Sequence, residues 1–504
     1  PWLLAGLLLA LPLLGGFHAL ALLSDGDSEG AYLFHGSLIL QGELGLFSPE
    51  MTGHRTPFPY WWIGLSQVLF GPSLLAGRLF SLLAGWAGLL ILWQTARRAL
   101  VEPAGTLTLV LLASSQYLLA HFAVAAFHGL AFFWAALGAW FLAASDWRWR
   151  RVAVVLCAWG LFLTRPQFGL CVPLAGAWAL IGGRGGRGPI LAAVGVPGAA
   201  FLAGYWPGVL KMAAYVPLLD QLAEPWGYVS VPMPGEPDWG TRIWRAAALA
   251  LRSYKAWIAL GLLGWALWPL GAPALPRKAK VILWAFLALA LSQFAVVNFS
   301  WKVAVGYFPA FAGLLALPLA ARSAQLLALK SARRGRFVYA SALAVVLLVG
   351  PVWSPPPNLP LAVDSAKFAA LEAERAGREL ARLIPPGTPI FLFGPATVPH
   401  LARLRPPIQP SNHLETLVTG CLRFGRHRDV ARSGLWCTDD IQKWLGPRGR
   451  PWAVVWQDGM GARVSPYRWE KESDALRDVL DAFYVPAGTV AYHGIVLEVW
   501  RRKS

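Results

Sequence analysis

Apolar runs separated by short basic turns dominate the chain as far as Pro351, a pattern that predicts membrane-spanning helices. About eleven stretches approach the needed length: 1–23, 73–97, 104–125, 128–144, 151–164, 167–182, 189–206, 256–272, 280–297, 303–321 and 336–352. The first, Pro1 to Leu23, lacks the basic leader and small-residue cleavage site of a signal peptide and reads as a retained helix. The pattern changes at a proline-rich linker, Ser354-Pro355-Pro356-Pro357. An amphipathic helix near 366–384 follows, then strand-like runs at Pro389–Phe393, Ala453–Gln457 and Thr489–Trp500, with a helix at 470–484 before the last. The expected architecture is a polytopic α-helical membrane domain over 1–354, of about eleven transmembrane helices, and a small soluble α/β domain over 355–504.

Composition sharpens this. Hydrophobic residues make up 56% of the 504 positions and charged residues 14%, more apolar surface than a soluble chain can hide. The net charge of +18 does not imply nucleic acid, because the basic residues sit between apolar runs rather than along one face. With eleven spans, the short-loop clusters Arg97-Arg98, Arg148 to Arg151, Arg184/Arg187, Arg277 to Lys280 and Arg322 to Arg336 all fall on one side. The positive-inside rule then puts the N-terminus in the cytoplasm and the C-terminal domain outside a plasma (inner) membrane. Arg242, Arg245, Arg252 and Lys255, which end a long outer loop, run against that assignment. Most acids before residue 354 fall in two outer loops, where they suggest chemistry or binding. Cys157 and Cys171 lie in spans, whereas Cys421 and Cys437 lie outside, where a disulfide is chemically permitted.

The first outer loop, 24–72, holds the most informative stretch. Asp25-Gly26-Asp27-Ser28-Glu29-Gly30-Ala31-Tyr32 opens it, with Ser28 or Asp27 able to cap a helix that Gly42 ends. Pro57-Phe58-Pro59-Tyr60-Trp61-Trp62 follows, then Phe70-Gly71-Pro72-Ser73 and Arg78-Leu79-Phe80-Ser81 with Ala84-Gly85. This order resembles the GT-C membrane glycosyltransferases, above all the dolichyl-phosphate-mannose protein mannosyltransferases and the lipid A aminoarabinose transferases. Relatives carry Asp directly before Glu, whereas Ser28 intervenes here.

The resemblance implies an inverting transfer of a sugar from a polyprenyl-phosphate donor to a lipid, glycan or protein acceptor, with Asp27, then Asp25, as general base and Glu29 supporting. A carboxylate at a membrane–water boundary beside a helix N-terminus suits that role. Asp25-Gly26-Asp27 also has the two-residue carboxylate spacing of a hard-cation site, but no third ligand is evident, so neither metal nor cofactor is expected. His128 stands where many relatives have a second Asp, and reads as a phosphate or acceptor contact or as a structural helix-end histidine. Arg165 and Lys302 are cations on the outer side of their spans and candidates for holding the donor phosphate, and Tyr307, in the segment where relatives show His-Tyr-Phe, is a candidate substrate contact. Arg78 matches the Arg of the family pattern and is a substrate-binding candidate, with snorkelling to the interface as its other reading. The competing classes are a non-catalytic GT-C-like assembly subunit and a transporter or flippase. Few charges inside the spans and no inverted repeat count against transport.

Overall fold

The chain is described from a computed structural model. The structure describes, in the main, residues 29–44, 56–100, 103–165, 168–181, 187–212, 274–296, 301–328, 337–345, 369–405, 438–446, 451–457, 469–492 and 495–503. In chain order the helices are α1 (Glu29–Leu40), α2 (Pro57–Phe70), α3 (Leu74–Ala99), α4 (Ala104–Ala113), α5 (Gln116–Phe122), α6 (His128–Ala143), α7 (Arg150–Thr164), α8 (Cys171–Ile181), α9 (Arg187–Met212), α10 (Arg277–Val296) and α11 (Trp301–Ala328). Beyond them come α12 (Ala369–Leu383), β1 (Ile390–Phe393), α13 (Thr397–Leu401), α14 (Thr438–Leu445), β2 (Ala453–Gln457), α15 (Trp469–Phe483), β3 (Tyr484–Tyr492) and β4 (Ile495–Arg502). Two of the described helices, α3 and α9, are long and apolar enough to cross a membrane. Shorter apolar helices occur at α4, α6, α8 and the later part of α11.

The chain divides into two compact units. One comprises Pro1–Leu20, Leu79–Ala199 and Pro237–Leu361; the other comprises Ala21–Arg78, Ala200–Glu236 and Ala362–Ser504. The first unit is helical among its described residues. Its helices approach closely where glycine leaves room: a Cβ on Gly129 would lie 2.1 Å from the Ser81 carbonyl oxygen, and one on Gly160 would lie 2.4 Å from the Trp134 ring. Such small-residue contacts let the helix backbones come close together. Arg97 and Arg98 close α3, where cations complement the helix dipole, and their guanidinium groups lie over Trp93 and Trp140.

Three sequence expectations change in this unit. The run 104–125 is two helices, α4 and α5, with a turn at 123–127 before α6. Helix α11 extends past the expected span, so Arg322 is a buried helical residue that donates from Nε to the Gly264 carbonyl instead of a loop anchor. Helix α8 starts at Cys171, four residues later than the pattern suggested, after a 3-10 turn at 168.

The second unit joins the first-loop helices to the C-terminal residues. Its sheet has the order β1-β2-β4-β3, with β1 and β2 parallel and the other pairs antiparallel. The single strand expected over Thr489–Trp500 is the second half of β3 plus most of β4, a hairpin whose first strand begins at Tyr484. Phe391, Phe393, Val454, Trp456 and Trp500 pack with Leu476 and Leu480 of α15 and Leu445 of α14. Phe393 and Trp456 stack face to face with ring centroids 3.9 Å apart. Cys421, Cys437 and the linker near 355 lie outside the described residues.

Candidate active site

The site is built on α1. Glu29 stands in its first turn, and the helix ends in a left-handed Gly42 (φ 75°), with Glu43 N–H donating to the Leu38 carbonyl and Gly42 N–H to that of Ile39. That pairing satisfies the last carbonyls and fixes the stop. Residues Glu29 to Ser37 are all buried, on every face. Helix α2, which the sequence pattern did not foresee, covers one side. Pro57 and Pro59 suit its first turn, and Gly71 (φ 79°) terminates it. The two backbones touch: a Cβ on Gly64 would sit 2.4 Å from the Gly36 carbonyl group. Tyr60 fills the space beside Tyr32, ring centroids 5.0 Å apart.

Glu29 is wholly buried and does not face water as a plain helix-capping acid would. Its Oε1 accepts from Arg78 Nε at 2.9 Å, and its Oε2 accepts from Arg78 Nη2 at 2.8 Å. Arg78 is likewise fully buried, so snorkelling does not describe it. The physical reason is the fork: two parallel charge-assisted bonds compensate for taking both groups out of water. Asp25 and Asp27, the leading base candidates, lie outside the described residues.

The first unit assembles a second group of candidates. His128 opens α6, its ring 4.1 Å from that of Phe127 and 4.9 Å from that of His121. Arg165, just past α7 in extended conformation (φ −156°), lays its guanidinium 4.5 Å over the Phe127 ring. The turn that presents them is held on α3 by Ser81 Oγ, which donates to the Ala126 carbonyl at 3.4 Å, and by the Gly129 contact. A cation, two imidazoles and the N–H groups of a helix start are the kind of group that suits a phosphate. Lys302 and Tyr307 lie in the first two turns of α11. Among the described residues no three His, Cys, Asp or Glu side chains gather as a metal site.

Three polar residues were not singled out from sequence: His121, Gln67 and His400. His121 and His128 are seven apart across a non-helical turn, a spacing that carries no motif. Gln67 and His400 meet across 333 residues of chain, beyond any local signal.

Comparisons with known proteins agree with this architecture. The family profile for dolichyl-phosphate-mannose-protein mannosyltransferases matches residues 54–206. The crystal structure of ArnT from Cupriavidus metallidurans in the apo state superposes with a TM-score of 0.60 at 15% identity, covering 98% of this chain and 97% of that one. ArnT bound to undecaprenyl phosphate gives 0.59 with the same identity and coverage. No curated protein matches by sequence. The chain thus has the fold of ArnT and resembles the dolichyl-phosphate-mannose protein mannosyltransferase and ArnT families of GT-C membrane glycosyltransferases.

Proposed function

We propose that the protein is an inverting glycosyltransferase that moves a sugar from a polyprenyl phosphate to an acceptor hydroxyl at the outer face of the plasma membrane. The reading places the N-terminus in the cytoplasm, about eleven spans in the bilayer, and residues 355–504 outside. The observation that carries it is the buried Glu29–Arg78 fork at the first turn of α1, which follows Asp25 and Asp27 by four and two positions in the chain. A fully desolvated, doubly bonded pair at that point anchors the start of α1, two residues after Asp27 in the chain.

In the reaction the acceptor oxygen attacks the anomeric carbon as its proton passes to Asp27. The bond from that carbon to the phosphate oxygen breaks, and its electrons leave with the polyprenyl phosphate. Arg165 and His128, with His121 and Lys302, balance the negative charge on the donor phosphate and on the leaving group. Glu29 and Arg78 position and do not exchange protons with substrate. Tyr307 contacts the donor. The similarity to ArnT, whose structure holds undecaprenyl phosphate, supports a polyprenyl carrier, while the acceptor is a lipid, glycan or protein hydroxyl.

Replacing Asp27 with Asn keeps the size and removes proton acceptance. Transfer from a polyprenyl-phosphate sugar should fall by about a hundredfold or more with donor affinity retained. Arg165→Gln and Lys302→Gln should instead raise the KM for the donor. Full activity in Asp27→Asn with loss in Asp25→Asn would move the base to Asp25. Full activity in both would remove the base mechanism. A wild-type protein that binds lipid donors without transferring from any of them would favour a non-catalytic assembly subunit.

A further inference from the structure

The fork needs both its helices in place, and one buried histidine from the C-terminal residues touches the supports of both. Helix α13 lies against the start of α1: a Cβ on Gly30 would be 2.4 Å from the Thr397 amide nitrogen and 2.7 Å from its Oγ1. One turn along α1, Phe34 meets the His400 ring edge to face, centroids 5.6 Å apart. On its other side His400 Nε2 is 3.0 Å from Gln67 Oε1. Gln67 in turn pairs at two points with the Ser73 backbone, Oε1 accepting from Ser73 N–H at 2.9 Å and Nε2 donating to Ser73 O at 3.1 Å. That pairing fixes which end of the amide is oxygen, so His400 must donate through an Nε2–H.

Ser73 starts α3. Its Oγ accepts from Ala76 N–H at 3.3 Å and donates to Glu374 Oε1 of α12 at 3.1 Å. Arg78 follows five residues later. His400 therefore reaches Glu29 through Phe34 and α1, and Arg78 through Gln67, Ser73 and α3. His400 and Gln67 are 5% and 3% exposed. An apolar pair would fill that space without the desolvation penalty of two polar groups, so the polar link is better explained by the geometry it enforces. Burial pushes the imidazole pKa down to about 3, which keeps the ring neutral and the donor role constant. The backbone just beyond is also fixed: Arg403 adopts a left-handed φ of 56°, with Leu404 N–H donating to the Pro399 carbonyl.

We infer that His400 is a positioning residue of the transferase: through Gln67 and Phe34 it sets the spacing of α1 and α3, and so the geometry of the Glu29–Arg78 fork. This rests on the glycosyltransferase reading above. The test uses the full-length protein in lipid nanodiscs with a polyprenyl-phosphate sugar. His400→Leu and Gln67→Leu should lower kcat about 10- to 100-fold, with the KM for the donor changed less than about twofold. His400→Gln, whose amide nitrogen can donate to the same oxygen, should keep at least about a third of wild-type kcat. Amide hydrogen exchange gives an activity-independent readout. In His400→Leu, residues 29–40 and 74–78 should exchange at least about tenfold faster, while β2 keeps its protection.

Wild-type kcat in His400→Leu, or equal losses in the Leu and Gln variants, overturns the positioning role while leaving the transferase reading intact. If the wild type transfers from no lipid donor, that reading fails instead. Exchange then decides the His400 inference, and unchanged protection of 29–40 overturns it. Should His400→Leu fail to fold, Gln67→Leu and His400→Gln carry the same comparison.

Discussion

Arg78 could be read in two ways from sequence, and the difference is measurable at a single side chain. A snorkelling arginine tolerates lysine, because either stem reaches water. A buried fork does not, since an ammonium cannot make two parallel bonds to one carboxylate. Arg78→Lys should therefore destabilise the protein by roughly 1–3 kcal/mol, and Arg78→Ala, which strands Glu29, by roughly 3–5 kcal/mol. Thermal unfolding in detergent, followed by intrinsic tryptophan fluorescence, would show it; an unchanged midpoint in Arg78→Lys would mean the fork contributes nothing. Both members were among the residues picked out from the chain, but their partnership was not. They lie 49 positions apart, and no periodicity ties a loop acid to a helix cation at that distance.

At the scale of elements, local chemistry was legible and crossings were not. The stop at Gly42 follows from a glycine after an apolar helix, and α12, α15, β1 and β2 follow from patterns close to their observed limits. Helix α2 was missed because its two prolines read as a loop, although proline is well placed in a first helical turn. The β3–β4 hairpin was merged because its turn has no strong two-residue signal. Least visible was the α1–α2 contact, where glycines 28 positions apart let two backbones meet. Gly64→Ala should cost roughly 3 kcal/mol or more, because the added carbon strikes carbonyl and Cα atoms that cannot swing aside. Gly42→Ala, by comparison, meets open space, and its cost is confined to the positive φ, roughly 1 kcal/mol. Thermal midpoints of the two variants give the comparison, and equal shifts would refute the backbone-contact account.

For the molecule as a whole, His400 links protonation to folding. Its pKa is about 3 in the folded protein against 6.5 for an ordinary histidine. The unfolded chain therefore binds the extra proton first. The stability this neutral ring permits is complete above about pH 6.5 and is lost as pH falls towards 3, by about 1.4 kcal/mol per pH unit. His400→Gln should flatten that decline in a series of unfolding midpoints between pH 4 and 8; parallel profiles for wild type and variant would contradict it. The pairing of α1 with the C-terminal residues has a further result, in time. Glu43 is bound by Arg405, 362 positions later, and Gly30 rests on Thr397. At about 5–20 residues per second a ribosome needs roughly 20–70 s to travel between such partners. Through that interval the newly made α1 has Arg78 and α2 beside it but lacks the cover that α13 and Arg405 supply to Gly30, Phe34 and Glu43. A chain cut before α13 should accordingly never mature that loop, and a stop codon near residue 390 should leave it as open to protease as on the day it was translated.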